Sequence, residues 1–345
     1  MKDKKSTLKK IVPLFLLGVA IVVALIALTG IGKIVGVMAR VDVAVYSLAF
    51  VIQTLALLVL LVRWKIIASA LDLRIRTGKM FPILLSSVFV NTVVPSARLG
   101  GEPLRAYTLS RLCGVPLDEG LATIAVDRAL DTLPFIGITL AAFAVVLLTW
   151  HMPIYALISL AVVVMAATIV MSAFAYVCLR PRAAERLASW IVKRFGRLAK
   201  RFGRLEDLED KTRAFAEDFG RGVLVILHKR RHIAPALLLS VIYWLQYLLR
   251  MYVVFIALGQ PISFGAIGIA TVVGLLLHAI PLPGALGIVE GFYALIFRTS
   301  GIPASVAVSA ALLDRFVSFW YTALLSVAGV LWTGLKLRAA IGAAS

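Results

Sequence analysis

Six long, predominantly apolar stretches constrain the fold of this chain more than any other feature of its sequence. A helix needs about 20 such residues to cross the hydrocarbon core of a bilayer. Hydrophobic residues make up 61% of the 345 residues and charged residues only 15%, more apolar surface than a globular interior of this size could bury. We therefore predict an all-α polytopic membrane protein, a single transmembrane domain over residues 1–345, with full spans near Ile11–Ile31, Val43–Val62, Leu121–Trp150, Ile154–Leu179, Ala234–Leu258 and Pro303–Leu335.

Two further apolar stretches are each interrupted near the middle. Phe81–Leu112 is broken at VVPSARLGGEP, and Phe264–Phe297 is broken at AIPLPGALGIVEG. The pieces on either side have about 13 to 18 residues, which is short for a full span and suits half-helices. We predict two re-entrant helical hairpins, with backbone breaks at Pro95, Gly100, Gly101, Pro281, Pro283, Gly284 and Gly287.

The interrupted stretches belong to an internal repeat, with cores at residues 81–150 and 264–335. Both copies carry P-x(6)-E followed by G-[VI]-P-x(10)-D-R, starting at Pro95 in one and at Pro283 in the other. Three spans separate the start of the third span from the start of the sixth, so we predict opposite orientations of the two copies across the membrane. Inverted repeats with interrupted helices are typical of transporters whose site lies between the repeats. A duplication kept only for folding is the alternative.

The formal net charge is +19, and the basic residues lie in the gaps between the apolar stretches. This distribution favours cytoplasmic loops that face anionic phospholipid headgroups, and it argues against nucleic-acid binding. We expect a multi-pass protein of the plasma or inner membrane with both termini in the cytoplasm. The most basic loop, residues 180–232, is the predicted connector between the repeats. Its two RFGRL units, Arg194–Leu198 and Arg201–Leu205, suit either an amphipathic helix on the inner leaflet or a solvated connector.

Charged residues inside the apolar stretches form the candidate translocation site. Asp127 lies about 16 Å into a helix that starts near Pro116, which is close to the bilayer centre, and Asp314 has the same depth from the other side. A charge at that depth costs about 2.5–3.5 kcal/mol, so such residues need partners or a wet cavity. The candidates are Arg98, Glu102, Arg105, Asp127, Arg128, Asp131, Glu290, Asp314 and Arg315.

We expect ion pairs that join Arg128 or Arg315 to Glu102 or Glu290 on the hairpins, and Arg105 to Glu102 three residues before it. Adjacent residues point about 100° apart on a helix, so the neighbours in each Asp-Arg sequence are not expected to pair with each other. The network either contacts a substrate or proton, or is a structural clamp alone.

Arg98 lies in the first break beside Gly100 and Gly101, before a half-helix N-terminus, which favours a phosphate site. Its alternative is a loop residue that reaches an interfacial headgroup. Arg250, near the outer end of its span, is expected to extend its guanidinium toward water. Two cysteines and four histidines show no metal spacing, and no nucleotide or hydrolase motif occurs, so we predict no metal, no cofactor and no enzyme activity.

The strings VVPSARLGGEPLRAY, GLATIAVDRALD, IPLPGALGIVEGFY and AALLDRFVSFW resemble the lysylphosphatidylglycerol synthase transmembrane, or flippase-like, family. The resemblance implies a bundle with two re-entrant hairpins that moves phospholipid between leaflets. Larger members add a cytosolic domain that aminoacylates phosphatidylglycerol; this sequence ends at Ser345, so we expect that activity to be absent. The family's motif positions are Glu102, Asp127, Arg128, Glu290, Asp314 and Arg315.

The leading hypothesis is a lipid translocase. A phospholipid or polyprenyl-phosphate headgroup would enter a polar cavity between the two hairpins, with its phosphate on Arg98, Arg128 or Arg315. The alternatives are a secondary carrier for a small solute or ion, an enzyme acting on a lipid-linked substrate, and a non-transporting scaffold. The expected partners are membrane lipids, together with a second copy of the chain or a lipid-modifying enzyme.

Overall fold

The computed structural model describes residues 2–94, 100–149, 154–180, 206–277 and 283–342. Within these ranges the chain is helical and contains no β-strand. A π-helical turn, Phe316–Tyr321, and a 3-10 turn, Pro283–Ala285, interrupt the second repeat. The α-helices are α1 (Lys2–Thr29), α2 (Ile31–Met38), α3 (Val43–Ser69), α4 (Thr77–Val93), α5 (Gly101–Cys113), α6 (Leu117–Thr149), α7 (Ile154–Leu179), α8 (Glu206–His228), α9 (Arg230–Ala257), α10 (Phe264–Leu277), α11 (Ile288–Thr299), α12 (Ala304–Arg315) and α13 (Thr322–Gly342).

Five helical runs in the described part of the chain are long and apolar enough to cross a membrane: α3, α6, α7, α9 and α12 continued through α13. The bent pair α1 and α2 makes a sixth if it is one span. The prediction of an all-α polytopic membrane protein is confirmed. The first span differs in detail, because the chain turns by 90° after Thr29 and continues as α2. Gly30, with φ of 94°, permits the turn, since the helix cannot continue through that conformation.

The first interrupted stretch folds as a hairpin of two antiparallel helices. At one end Gly101 of α5 lies against Ser87 of α4. At the other end the Lys79 ammonium donates to the Leu112 carbonyl at 3.4 Å. The start of α4 and the end of α5 therefore lie on the same side of the fold. A re-entrant path through the bilayer stays a prediction, because these contacts join helix to helix and not helix to lipid.

The second interrupted stretch also turns back on itself. Near the end of α10, Gly274 lies directly under the ring of Tyr293 in the first half of α11. The break between these helices packs against α1, where Gly18 is close to the Leu286 carbonyl. An added Cβ at Gly18 would lie 2.9 Å from that oxygen, so a glycine is needed there.

Helices α3 and α9 pack against each other and exchange matching contacts. Arg250 of α9 donates from Nη1 to Gln53 Oε1 of α3 at 2.6 Å, and Arg63 of α3 donates from Nη1 to Ser240 Oγ of α9 at 2.9 Å. The early part of each helix lies beside the late part of the other, so the helices are antiparallel. The partners are equivalent in the repeat (240 − 53 and 250 − 63 both give 187). This two-fold exchange supports the predicted inversion.

The connector contributes helix α8, which packs against the bundle. Val223 and Ile226 are fully buried in a cluster with Ala122 and Val126 of α6. The end of the connector is therefore anchored to the first repeat. The RFGRL units lie in residues 181–205, outside the described residues, so their placement on the inner leaflet stays a prediction.

Candidate functional site

Arg63 is the central cation of a buried ion-pair network in the first repeat. Its Nε lies 2.7 Å from Asp127 Oδ1, and its Nη1 lies 2.7 Å from Asp131 Oδ1. The two carboxylates are four residues apart on α6 and so share one face of the helix. Arg63 is fully buried. Its ion pairs offset the hydration free energy that the arginine and the carboxylates lose on burial. Sequence reasoning did not include Arg63 in the site.

The sequence did contain a signal for Arg63. It precedes Asp127 by 64 residues, and Arg250 precedes Asp314 by the same 64 residues. The segments that start at these arginines read RWKIIASALD and RMYVVFIALG. Extending the repeat by one helix toward the N-terminus would therefore have matched the two arginines.

Two more arginines complete the first network. Arg105 Nη1 lies 3.1 Å from Asp127 Oδ2 and 3.5 Å from Glu102 Oε2. Arg128 Nε lies 3.6 Å from Glu102 Oε1. Both expected pairs with Glu102 are therefore present. Arg128 Nη2 also lies 3.2 Å from Asp127 Oδ2. The expectation that these neighbours would not pair is wrong, because the long arginine side chain bends back over the adjacent carboxylate.

The first hairpin holds Glu102 in place. Asn91 of α4 donates from Nδ2 to Glu102 Oε1 at 3.2 Å and accepts from the backbone N–H of Gly101 at 2.8 Å. The predicted breaks Gly100 and Gly101 lie at the start of α5, where the positive end of the helix dipole also favours the carboxylate. The close approach of α5 to α4 thus places an acid beside Arg105 and Arg128.

The second repeat builds a matching pair from α9 and α12. Arg250 donates from Nε to Asp314 Oδ1 at 2.9 Å and from Nη2 to Asp314 Oδ2 at 3.3 Å. Arg250 is only 2% exposed, so the expectation that it extends to water is wrong. The contact with α3 keeps the guanidinium in the protein interior, where Gln53 Oε1 accepts from Nη1. Gln53 in turn donates to Thr322 Oγ1 at 2.8 Å.

A second ion pair holds the break before α11. Arg315 Nε lies 2.7 Å from Glu290 Oε1, which confirms the expected pair, and Arg315 also donates to the Gly284 carbonyl. Glu290 Oε2 accepts from the backbone N–H of Gly287 at 2.7 Å. Gly284 and Gly287 have φ of 57° and 80°, a region that favours glycine. The predicted break is therefore present, and the ion pair between Arg315 and Glu290 stabilises it.

A cavity of about 110 Å³ lies beside both networks. Its wall is formed by α3, α4, α5, α6, α9, the π-helical turn and the start of α13. The side chains that present charge to it are Glu102, Arg105, Arg128 and Arg250. Asp127, Asp131 and Asp314 are not part of the wall, because they lie behind the arginines they bind. The cavity surface is therefore predominantly basic.

This cavity is bounded by the first hairpin, whereas the polar cavity that the sequence interpretation expected between the two hairpins stays a prediction. No described residue of α10 or α11 contributes to its wall. The space between α6, α9 and α10 is occupied by Phe135, Trp244 and Val272, with the first two rings 5.0 Å apart. Among the described residues, the cavity wall therefore includes side chains of the first hairpin and none of the second.

Several polar atoms of the cavity wall have no hydrogen-bond partner in the described part of the chain. They are Nε and Nη2 of Arg105, Nε of Arg128, Oε2 of Glu102, Gln246 Oε1 and Ser318 Oγ. A buried polar atom without a partner costs about 1–3 kcal/mol. A bound polar molecule or an ordered water that reached these atoms would recover part of that cost.

Some predicted positions lie outside the described residues: Pro95, Arg98 and Pro281. Pro283 begins the 3-10 turn before α11. Among the residues that the structure describes, no group of three or more histidine, cysteine or acidic side chains could hold a metal ion. The expectations that the protein uses no metal, has no cofactor and is not an enzyme stay predictions.

The residues that form the paired charges and the broken helices lie in a stretch of sequence that matches a known family. The chain fits the sequence model described as the lysylphosphatidylglycerol synthase TM region over residues 15–326. It belongs to that family. In this member of the lysylphosphatidylglycerol synthase TM region family, the matched range contains both hairpins and both ion-pair networks. The resemblance noted in the sequence is therefore confirmed.

Relatives of this family member cover almost its whole length. A UPF0104 membrane protein of Methanothermobacter thermautotrophicus is 29% identical over 324 residues, 93% of this chain and 95% of the relative. A UPF0104 membrane protein of Methanocaldococcus jannaschii is 27% identical over 322 residues, 92% of each chain. One from Pyrococcus horikoshii is 24% identical over 316 residues, 90% of this chain and 94% of the relative. These names describe membrane proteins and state no activity.

Proposed function

We propose that the protein moves a phospholipid or a polyprenyl-phosphate lipid between the leaflets of the plasma membrane. The headgroup passes through the cavity beside the first hairpin, while the hydrocarbon tails stay in the bilayer. The observation that carries this proposal is a basic cavity inside a bundle of membrane-spanning helices, with arginine N–H groups that have no hydrogen-bond partner among the described residues. A lipid phosphate supplies the acceptors that those donors lack.

Arg128 is the residue best placed to meet the phosphate. Its side chain is 23% exposed, whereas the other arginines of the first network, Arg63 and Arg105, are 0% and 1% exposed. It binds its carboxylate partners at 3.2 to 3.7 Å, which is longer than the 2.7 Å contacts of Arg63. Its loosely held guanidinium can change partners from a carboxylate to an incoming phosphate.

The cavity wall is amphipathic, which favours a lipid over a small ion. Beside the charged side chains, aliphatic residues of α3 and α4 form a separate part of the wall: Ile52, Ala56, Leu57, Leu60, Leu84 and Val88. A hydrated ion gains nothing from such a surface, whereas the glycerol backbone and first methylenes of a lipid do. The proposed orientation keeps both termini and the basic connector in the cytoplasm, where they face anionic lipid.

Replacing Arg128 with alanine is expected to slow lipid movement about tenfold or more, because the phosphate loses a charge-assisted hydrogen bond. The measurement uses purified protein reconstituted in vesicles that contain phosphatidylglycerol labelled on an acyl chain, with a membrane-impermeant quencher to report the accessible leaflet. Arg128→Lys should retain part of the rate. Arg221→Ala is the matched control, since Arg221 is 74% exposed on α8, where it pairs with Asp218.

Glu290→Gln tests whether the second repeat takes part. The substitution weakens the Arg315 pair and the hold on Gly287, so we expect slower movement although Glu290 does not line the cavity. Unchanged rates in both Arg128→Ala and Glu290→Gln would contradict the proposal. Uptake of a water-soluble anion by the same vesicles, without lipid movement, would indicate the solute carrier instead.

A further inference from the structure

We propose that Glu102 is a proton-binding site that couples lipid movement to the pH gradient across the membrane. A proton from the water on one side binds Glu102 when a phosphate takes its place on Arg128. The proton crosses with the lipid and is released to the water on the other side. A lipid with a single negative charge then crosses without net movement of charge. This inference rests on the proposed function and adds its driving force.

The ion-pair network of the first repeat is balanced in charge. It joins three arginines to three carboxylates through contacts of 2.7 to 3.7 Å: Arg63, Arg105 and Arg128 with Glu102, Asp127 and Asp131. An anionic phosphate that binds there adds a negative charge to a neutral network in the membrane interior. A buried charge without a partner is unfavourable. Uptake of one proton by one carboxylate restores the balance.

Glu102 is the carboxylate that this network holds least tightly. Its contacts with arginine nitrogens are 3.5 Å to Arg105 and 3.6 Å to Arg128, longer than an ordinary hydrogen bond. Asp127 and Asp131, by contrast, each have an oxygen 2.7 Å from an arginine nitrogen. Of the three carboxylates, Glu102 therefore loses the least ion-pair energy when a proton neutralises it.

The atom of Glu102 that can take the proton is Oε2. Asn91 donates from Nδ2 to Oε1 at 3.2 Å, whereas Oε2 is buried and has no hydrogen-bond partner within the described ranges. A proton on Oε2 turns this acceptor into a donor. A phosphate oxygen on Arg128 can then accept from it. Protonation thus removes a repulsive charge and adds a hydrogen bond to the bound phosphate.

Glu102 also faces the space through which a proton would arrive. Among the described residues of the cavity wall it is the only acidic one, and the volume of about 110 Å³ leaves room for water. The tyrosines that α9 adds to the wall are neutral between about pH 6 and 8. The other charged side chains of the wall are arginines, which stay protonated: Arg105, Arg128 and Arg250. Glu102 is therefore the titrating group of the wall near neutral pH.

The equivalent acid of the second repeat, Glu290, is held much more firmly. Its Oε1 lies 2.7 Å from Arg315 Nε, and its Oε2 accepts from the backbone N–H of Gly287 at 2.7 Å. Glu290 is buried and does not line the cavity. The duplicated position therefore provides a proton site in the first repeat and a structural anchor in the second, and Glu290 is the internal comparison for Glu102.

The test measures how a trace of acyl-labelled phosphatidylglycerol distributes between the leaflets of phosphatidylcholine vesicles that contain the full-length protein. The membrane potential is first held at zero with potassium and valinomycin. A difference of one pH unit should then enrich the lipid about tenfold in the leaflet on the alkaline side. A potential of about 60 mV without a pH gradient should have no effect, although it would give a tenfold ratio for an uncompensated charge. Protein-free vesicles give the background.

Glu102→Gln should reverse both responses. Glutamine keeps the size of the side chain but takes up no proton near neutral pH, so the lipid crosses as an uncompensated anion. The pH gradient should have no effect, and about 60 mV should give the tenfold ratio. Glu290→Gln should be slower but keep the wild-type pH response. Asp218→Asn, in an exposed ion pair on α8, is the acid-to-amide control and should behave as wild type.

A second measurement separates proton binding from lipid movement. Short-chain phosphatidylglycerol is added to the detergent-solubilised protein in a weakly buffered solution that contains a pH indicator dye. Wild type should take up about one proton for each lipid bound, as linkage between the two ligands requires, and Glu102→Gln should take up none. Glu102→Asp retains a carboxylate and should retain the uptake. Thermal unfolding of each variant checks that it is folded.

A lipid distribution that does not follow the pH gradient in the wild type would overturn the coupling, while lipid translocation itself would stand. A pH response or proton uptake that persists in Glu102→Gln would assign the proton to another group. Enrichment driven by a sodium gradient in place of the pH gradient would overturn the choice of ion. If no lipid moves but binding takes up a proton that Glu102→Gln lacks, the proton site stands and the proposed translocation fails. The absence of both movement and proton uptake would overturn site and function together.

Discussion

Arg63→Met is expected to lower the free energy of unfolding by about 3–5 kcal/mol, the cost of leaving buried carboxylates without their cation. Arg63 has two contacts of 2.7 Å, to Asp127 and Asp131, and it is completely inaccessible to solvent. Methionine fills much of the volume and supplies no positive charge. The network would retain three carboxylates and two arginines, a net negative charge in the membrane interior. Thermal and denaturant unfolding of the protein in detergent would measure the loss.

A second substitution separates charge from packing in this experiment. Arg63→Met combined with Asp131→Asn restores formal neutrality, because Asp127 keeps Arg105 and Arg128. We expect the double variant to recover a measurable part of the lost stability, which a simple packing defect would not do. Arg221→Met, on the surface of α8, should be close to neutral. A stability of Arg63→Met within 1 kcal/mol of wild type would contradict the buried network.

Gly101→Ala is expected to be the most damaging single-methyl change in the first hairpin. The added Cβ would lie 2.2 Å from the Ser87 carbonyl oxygen and 2.8 Å from its carbonyl carbon. Both are backbone atoms, so no side-chain rotation relieves the clash, and α5 must move away from α4. We expect a loss of about 1–3 kcal/mol or more. Glu102 should also lose its alignment with Arg128, and lipid movement should fall with it.

The control for this change is Gly78→Ala in the same hairpin. A Cβ at Gly78 has no atom within 4 Å, and alanine favours the helix by up to about 1 kcal/mol. Stability should therefore be retained or improved. If Gly101→Ala unfolds at the same temperature as Gly78→Ala and moves lipid at the same rate, the close approach of α5 to α4 does not organise the site.

The spans and the broken helices were predictable because they depend on local sequence. Apolar runs of sufficient length specify helices in lipid whatever their neighbours are. The pair between Glu290 and Arg315 was predictable because the duplicated motif contains an acidic residue in the hairpin and an arginine in the span that follows it. The bend at Gly30 was not, since a single glycine in an apolar run is compatible with a straight helix.

The partners of the deepest arginines could not be read from local sequence. Arg63 stands near the end of an apolar run, where an arginine ordinarily extends to the interface, and its carboxylates come from α6. Arg250 was misplaced for the same reason, because only the packing of α9 on α3 decides that it points inward. The position of the cavity could not be read from local sequence either, because its wall combines side chains from helices that are far apart in the chain.

The crossed contacts between α3 and α9 have a consequence for biogenesis. Each half of the chain carries an arginine whose polar neighbour is supplied by the other half, Ser240 for Arg63 and Gln53 for Arg250. The half made first by the ribosome enters the bilayer with a donor that stays unmatched until the later half arrives. Assembly is therefore completed only when both halves are inserted, and either half produced alone would keep its own ion pairs but offer quality-control proteases an arginine that lacks its polar neighbour.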